Sequence, residues 1–243
     1  MNALAGLDPV TLDELVAAAA LQTRVDRKYV LPLAEALDLP GRLDPATRVL
    51  EIGGERAFRY RSVYFDTPDL ISFRLTAQRR RRRFKIRTRT YVDSALCWLE
   101  VKTEGYRGGT VKDRLPYHPR DHDNVDPGQW FVESVLGRPG LSLAPTLITH
   151  YRRSTLLLPA GDSRATIDID LTWVGADGSR LHLPHVAVVE TKTASAASPV
   201  DRLLWSRGHR PAVISKYATG LAALRPDLPA TPWRRTLRRH FTA

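Results

Sequence analysis

The chain has 243 residues, 43% of them hydrophobic, which is enough for a sizeable core and too apolar for a disordered chain. Its net charge of +11 comes from 37 basic and 26 acidic residues, and 31 of the basic ones are arginine against six lysines. That excess attracts polyanions such as nucleic acid, anionic membrane, nucleotide or polyphosphate, unless it only reflects a genome that favours arginine codons. Cys97 is the only cysteine, which excludes an internal disulfide and a cysteine-based zinc site. The opening residues lack the basic stretch of a signal peptide, and no apolar run approaches the roughly 18 residues of a membrane span. A soluble protein of the reducing cytoplasm is the expectation.

In chain order, Thr11 and Glu14 stand at capping-box spacing ahead of the apolar run 15–21, which predicts a helix. Residues 24–31 alternate and stop at Pro32, as a strand does, and a short helix is predicted over 33–39. From residue 57 the chain reads mostly as strands, over 57–66, 82–92, 95–103, 109–116, 146–158, 163–174 and 184–193. Turn chemistry separates several of them, at 66–69, 92–95, 104–109, 159–162 and 175–179. Together with 24–31 these make eight strands whose short connections imply antiparallel pairing, and so a closed barrel or a two-sheet sandwich. Residues 127–137 read as a helix ending at a glycine. Ser198 and Pro199 set up the start of another, and SKYATGLAAL forms one more that stops at Pro226. The tail PWRRTLRRHF reads as a basic, solvated helix face. No repeat or long linker divides the chain. The expectation is one domain over 1–243, with a core over about 12–225 and a basic tail over 226–243.

Alternate residues of a strand share a face. On that rule Arg81, Arg83, Lys85, Arg87 and Arg89 point one way, and Arg82, Phe84, Ile86, Thr88 and Thr90 the other. Trp98, Glu100 and Lys102 form a second charged row, and Lys112 with Arg114 a third. Tyr151 with Arg153, then Arg164, Thr166, Asp168 and Asp170, and then Glu190 with Lys192 continue the pattern. A row of like charges is unfavourable unless anions or facing carboxylates compensate it. Either the charged rows face water around an apolar barrel core, or they line a tunnel and the apolar rows pack outward against helices. Periodicity does not choose between these. All six lysines, Lys28, Lys85, Lys102, Lys112, Lys192 and Lys216, fall in the strand motifs or at the start of the following helix, which favours the tunnel.

The order DRKYVL, YRSVYFDTPDL, FKIRTRTY, WLEVKTEG, VKDRLP, a Tyr-x-Arg strand, VVETKT and SKYATG resembles the VTC domain. That is the catalytic domain of polyphosphate polymerases, in the triphosphate tunnel metalloenzyme superfamily. The resemblance implies an α+β fold, an eight-stranded antiparallel barrel enclosing a basic tunnel with helices outside. Position by position, it makes Lys28 the lysine of the first strand, Arg87 and Arg89 the paired arginines, and Lys102 the lysine of the Glu-x-Lys strand. Either Lys112 or Arg114 matches the family's next basic residue. Tyr151 and Arg153 fit the Tyr-x-Arg element, Arg164 the strand after it, and Ser215 with Lys216 the closing helix. Lys85 joins them as a phosphate contact on the Arg87 row. Glu190 resembles the family's metal-binding glutamate, and Glu100 is the second carboxylate for Mn²⁺ or Mg²⁺.

The resemblance implies transfer of the ATP γ-phosphate to a growing polyphosphate chain, with no specific nucleic-acid partner. Lys28, Arg87, Arg89, Lys102 and Lys216 would be the catalytic cations. Two alternatives remain at this level. One is a triphosphatase acting on triphosphate or a nucleotide; the other is a non-catalytic polyanion or nucleic-acid binder. Related triphosphatases often begin with Glu-x-Glu-x-Lys, whereas here Asp26 is the only acid ahead of Lys28, which points to the polymerase branch. Tyr60, Tyr64 and Phe65, the aromatics near the basic rows, read as strand core rather than base-stacking platforms.

Overall fold

The computed structural model describes residues 3–18, 25–105, 109–159, 163–194 and 196–241. Positions 19–21 of the expected first helix, Arg24 of the first strand, and positions 106–108 and 160–162 of two expected turns lie outside the described residues. The elements run β1 (Asp8–Val10), α1 (Leu12–Ala18), β2 (Val25–Pro32), α2 (Leu33–Asp38), β3 (Arg48–Leu50), β4 (Phe58–Asp66) and α3 (Ile71–Ala77). They continue with β5 (Phe84–Tyr91), β6 (Leu96–Glu104), β7 (Thr110–Tyr117), α4 (Gln129–Leu136), β8 (Ala144–Leu157) and β9 (Arg164–Gly175). The last are β10 (Arg180–Leu183), β11 (Val186–Thr193), α5 (Pro199–Ser206), α6 (Lys216–Leu224) and α7 (Arg234–His240).

The chain divides into two compact units. The first is Met1–Phe58, Tyr151–Leu171 and Leu183–Val213; the second is Arg59–His150, Thr172–His182 and Ile214–Ala243. In the first, β11 pairs antiparallel with β2 on one side and β9 on the other. Tyr29, Leu31, Ala165, Ile167, Ala187 and Val189 project from one face of these strands and pack with Ala36 of α2 and Val200 and Leu204 of α5. The end of α5 is fixed by chemistry legible in the sequence. Ser198 and Asp201 form a reciprocal capping box, and the buried Asp201 also accepts hydrogen bonds from Tyr29 (2.7 Å) and Thr191 (2.7 Å). Thr11 and Glu14 cap α1 in the same reciprocal way.

In the second unit β4, β5, β6 and β7 pair antiparallel in that order. Val63, Phe65, Phe84, Ile86, Leu99 and Val101 share one face and pack with Val132 of α4, while Ile71 and Leu75 of α3 flank them. Asp66, at the end of β4, is buried and accepts the backbone N–H groups of Thr67, Ser72 and Phe73, each at 2.9 Å, together with the Tyr217 hydroxyl. One carboxylate thereby pins a strand end, the start of α3 and helix α6. Burial raises the Asp66 pKa, partly opposed by these hydrogen bonds.

The α+β class and the antiparallel pairing agree with the sequence, but the closed eight-stranded barrel does not. The described strands form one sheet of eleven, ordered β2–β11–β9–β8–β4–β5–β6–β7, with β1, β3 and β10 off that path; the path has two ends and does not close. Strands β1 and β3, each of three residues, and β10, of four, are too short for an alternating pattern to register. Closure depends on tilt and stagger, which periodicity does not encode. Helix α3 was also absent from the sequence reading. Nor does the row of five basic residues survive intact. β5 begins at Phe84, so Arg81 and Arg83 belong to the preceding turn, and only Lys85, Arg87 and Arg89 share the strand face. Among the described residues no helix is long and apolar enough to cross a membrane.

Helix α6 approaches its support closely at Gly220, where a Cβ would lie 2.2 Å from Cδ1 of the buried Trp173. Trp173 Nε1 donates to the Lys216 carbonyl at 2.8 Å, so the indole also fixes the start of the helix. Gly220→Ala should therefore cost about 1–3 kcal/mol through overpacking, despite alanine's better helix propensity. Urea denaturation checks this; an unchanged or raised midpoint would show that the helix moves aside freely.

Candidate functional site

In the second unit the β-ladder sets the charged residues in rows. Residues directly opposite in an antiparallel pair lie on the same face. The register gives Tyr64–Arg87–Glu100–Arg114, Ser62–Arg89–Trp98–Pro116 and Lys85–Lys102–Lys112. This face is opposite the one that packs on α3 and α4, so within the unit the apolar rows are the helix-covered ones, as the tunnel reading required. The middle row is tightly held. Arg87 Nε and Nη2 donate to Glu100 Oε2 at 2.8 and 2.5 Å, and Arg87 Nη1 donates to the Tyr64 hydroxyl at 3.1 Å. Lys112 Nζ lies 3.7 Å from Glu100 Oε1. Arg114 stacks over Trp98 at 4.5 Å, and Arg89 over Tyr60 at 5.7 Å.

Arg87 is 7% exposed and Glu100 2%. Burial alone would raise the Glu100 pKa, but Arg87, Arg89, Lys102 and Lys112 outweigh it and hold the carboxyl far below the usual range. Burial lowers the Lys112 pKa, with Glu100 opposing and the nearby arginines adding to the fall. One carboxylate thus sits among an excess of cations. The Tyr64 ring stacks on Tyr217 at 5.2 Å, and Tyr217 donates to Asp66, so the arginine is tied through two tyrosines to helix α6.

The first unit carries a second charged face. The register sets Glu190 opposite Lys28 and Thr166, and Lys192 opposite Asp26 and Arg164. Glu190 Oε1 lies 3.4 Å from Lys28 Nζ and 3.3 Å from Lys192 Nζ, and Lys192 is 3.8 Å from Asp26. Arg153 and the fully buried Asp168 form a two-pronged pair at 2.5 and 2.8 Å. Burial opposes the charge on Arg153, but Asp168, Tyr151 and Glu190 raise its pKa well above the usual value. Again the charged residues occupy the face opposite the helix-covered core.

Lys28, Arg153, Arg164, Tyr151 and Glu190 lie in the first unit; Lys85, Arg87, Arg89, Glu100, Lys102, Lys112, Arg114, Ser215 and Lys216 lie in the second. Ser215 is the N-cap of α6, its hydroxyl accepting the Ala218 N–H at 3.3 Å, and Lys216 is the first helical residue. Cys97 is buried, with the apolar parity expected of it, and burial raises its pKa. Asp170, placed on the charged row by alternation, adopts φ 55°, which interrupts the alternation at that point. Tyr64 and Tyr217 were not singled out as site residues. The parity of Tyr64 matches Ser62 and Asp66, but only the register with Arg87 shows what its hydroxyl is for.

The two carboxylates differ as cation ligands. Glu100 is engaged by Arg87 and Lys112 and Glu190 by Lys28 and Lys192, but Glu190 also stands opposite Thr166, whose buried Oγ1 has no hydrogen-bond partner among the described residues. No group of three or more His, Cys, Asp or Glu among the described residues could hold a metal by itself. A single glutamate suits Mg²⁺ or Mn²⁺ where substrate phosphates complete the shell.

Of the solved structures, the chain is similar to a candidate adenylyl cyclase from Hippeastrum described as having a dominant triphosphatase activity. Identity is 15% and the TM-score 0.50, covering 81% of this chain and 94% of that one. It is also similar to a candidate adenylate cyclase from Vibrio parahaemolyticus (14%, TM-score 0.42, 84% and 87% covered) and to a conserved hypothetical protein from Pyrococcus furiosus (13%, TM-score 0.43, 76% and 88% covered). At 15% identity the likeness to the Hippeastrum protein is one of fold alone. No curated protein sequence matches. Residues 23–225 match the family model of the VTC domain. The chain therefore belongs to the VTC domain family.

Because Arg87 is buried with its counter-charge, removing that charge leaves an uncompensated guanidinium. Glu100→Gln should cost about 3–5 kcal/mol of unfolding free energy. Asp227→Asn, which breaks the exposed Arg225–Asp227 pair, should leave the urea midpoint almost unchanged. Equal effects in the two variants would mean that Arg87 reaches water as freely as Arg225 does.

Proposed function

We propose that this protein is a polyphosphate polymerase that moves the γ-phosphate of ATP onto the end of a growing polyphosphate chain. The observation that supports it most is the pair of charged sheet faces, whose buried carboxylates are outnumbered by arginine and lysine. Phosphoryl transfer asks little covalent chemistry of a protein; it asks for phosphates held in line and their charge offset. Arg87, Arg89, Arg153 and Arg164 supply planar guanidinium groups suited to phosphate oxygens. Lys28, Lys85, Lys102, Lys112 and Lys216 add point charges, with Arg114, Tyr151 and Ser215 as further phosphate contacts. A terminal oxygen of the polyphosphate chain attacks the γ-phosphorus, the bond from that phosphorus to the β,γ-bridging oxygen breaks, and ADP leaves. No protein nucleophile is required, and Cys97 lies on the opposite face of the sheet from the Arg87 row. Mn²⁺ or Mg²⁺ would be held by Glu190 and substrate phosphates, and when bound would offset charge on the transferring group. Glu100, the second candidate, acts in this reading as the counter-charge that orients Arg87.

A second reading is a triphosphatase, in which water takes the place of the polyphosphate end. The fold shared with the Hippeastrum protein supports it. Against it stands the first strand, where Asp26 faces Lys192 and no second acid precedes Lys28 at the Glu-x-Glu-x-Lys spacing.

Incubation with ATP and Mn²⁺ or Mg²⁺, with products resolved by length, separates the readings. Long-chain polyphosphate with ADP is the expected outcome; free phosphate alone would make the protein a hydrolase. Glu190→Gln should abolish turnover yet leave metal-free triphosphate binding intact or slightly stronger, because Lys28 and Lys192 lose their counter-charge. Turnover by that variant at the unsubstituted rate would make Glu190 structural and move the cation to Glu100 or to Asp168 and Asp170.

A further inference from the structure

The turn from α3 into β5 carries five consecutive arginines, Arg79 to Arg83. It is a folded turn rather than a loose loop. The Arg79 N–H donates to the Thr76 carbonyl at 3.1 Å, the Arg80 N–H to Leu75 at 2.8 Å, and the Arg83 N–H to Arg80 at 3.3 Å. Arg79 adopts φ 53°, a left-handed conformation that non-glycine residues enter only when their surroundings hold them there. Arg83 is ion-paired with Glu104. Arg79, Arg80 and Arg82 are exposed and make no ion pair among the described residues. Adjacent like charges repel, so the turn concentrates positive charge at Arg79, Arg80 and Arg82.

Its position gives that charge a use. Three residues after Arg82 comes Lys85, which begins the row Lys85–Lys102–Lys112 at one end of the charged face. At about 3.3 Å per extended residue, the backbone of Arg82 lies within roughly 10 Å of that of Lys85. A thin flexible polyanion lying on the face can therefore continue onto the turn, whereas a short one ends on the face.

We propose that Arg79, Arg80 and Arg82 form an outer binding site for linear polyphosphate, engaging phosphates beyond those held by the sheet face. This rests on the function proposed above and deepens it, because it gives the protein a grip on long chains that a triphosphatase does not need.

The test compares two triple variants of equal charge. One is Arg79→Gln with Arg80→Gln and Arg82→Gln; the other is Arg234→Gln with Arg235→Gln and Arg238→Gln, on the exposed basic helix α7. Calorimetric titration at one ionic strength, without metal, uses tripolyphosphate and long-chain polyphosphate as probes. The turn variant should lose about tenfold in long-chain affinity and keep tripolyphosphate affinity within about twofold, at the modest worth of each exposed charge contact. The α7 variant should lose neither. Arg82→Gln alone, which leaves Arg79 and Arg80 unchanged, should shift long-chain affinity in the same direction. Equal losses in both triple variants, equal losses for both probes, or no loss in the turn variant would each overturn the outer site. Failure of the unsubstituted protein to bind either probe would instead remove the proposed function, and this site with it.

Discussion

The buried pair of Arg87 and Glu100 is the constraint from which the second unit's charged face is built. A guanidinium 7% exposed needs a counter-charge and donors' partners nearby, and Glu100 with the Tyr64 hydroxyl supplies both. Yet the same carboxylate is shared with Lys112, and Arg89 and Lys102 stand close enough to depress its pKa. The pair is satisfied as a structural element, and Arg89, Lys102 and Lys112 act on the same carboxylate.

That state depends on where the apolar residues go. In each unit the alternate row packs beneath helices, α3 and α4 in one and α2 and α5 in the other. The hydrophobic effect fixes register, because a slip of one residue would send every charged side chain into the helix-covered core. The fold and the site also meet at particular atoms. Asp66 fastens β4 and α3 and accepts from Tyr217 of α6; the Tyr217 ring lies against Tyr64; and Tyr64 accepts from Arg87. Helix α6, headed by Ser215 and Lys216, is in this way tied to Arg87.

The sequence made the charged rows legible because their alternation is a local property. It showed Lys85, Arg87 and Arg89 against Phe84, Ile86 and Thr88, and Glu190 together with Lys192 on one face. It overextended the first row through Arg81 and Arg83, since arginines continue across the point where the strand begins. It also missed α3, a seven-residue helix whose start is fixed by the Asp66 side chain and not by a cap adjacent to it. Partnerships across the sheet were beyond it. That Glu100 belongs to Arg87, that Asp168 belongs to Arg153, and that Tyr64 carries a hydroxyl for Arg87 all follow from register and strand order, which a single sequence does not specify.

The central claim is that these faces are shaped for a thin linear phosphate and not for polyanions in general. Titration of the metal-free protein with tripolyphosphate and with a short DNA duplex at the same ionic strength tests it most directly, since salt sets both affinities. A duplex is too wide to present its phosphates to a guanidinium as buried as Arg87. Tighter binding of tripolyphosphate, weakened by Arg89→Ala, is the predicted result. Equal or tighter binding of the duplex, indifferent to Arg89, would contradict the account and leave a general polyanion binder in its place.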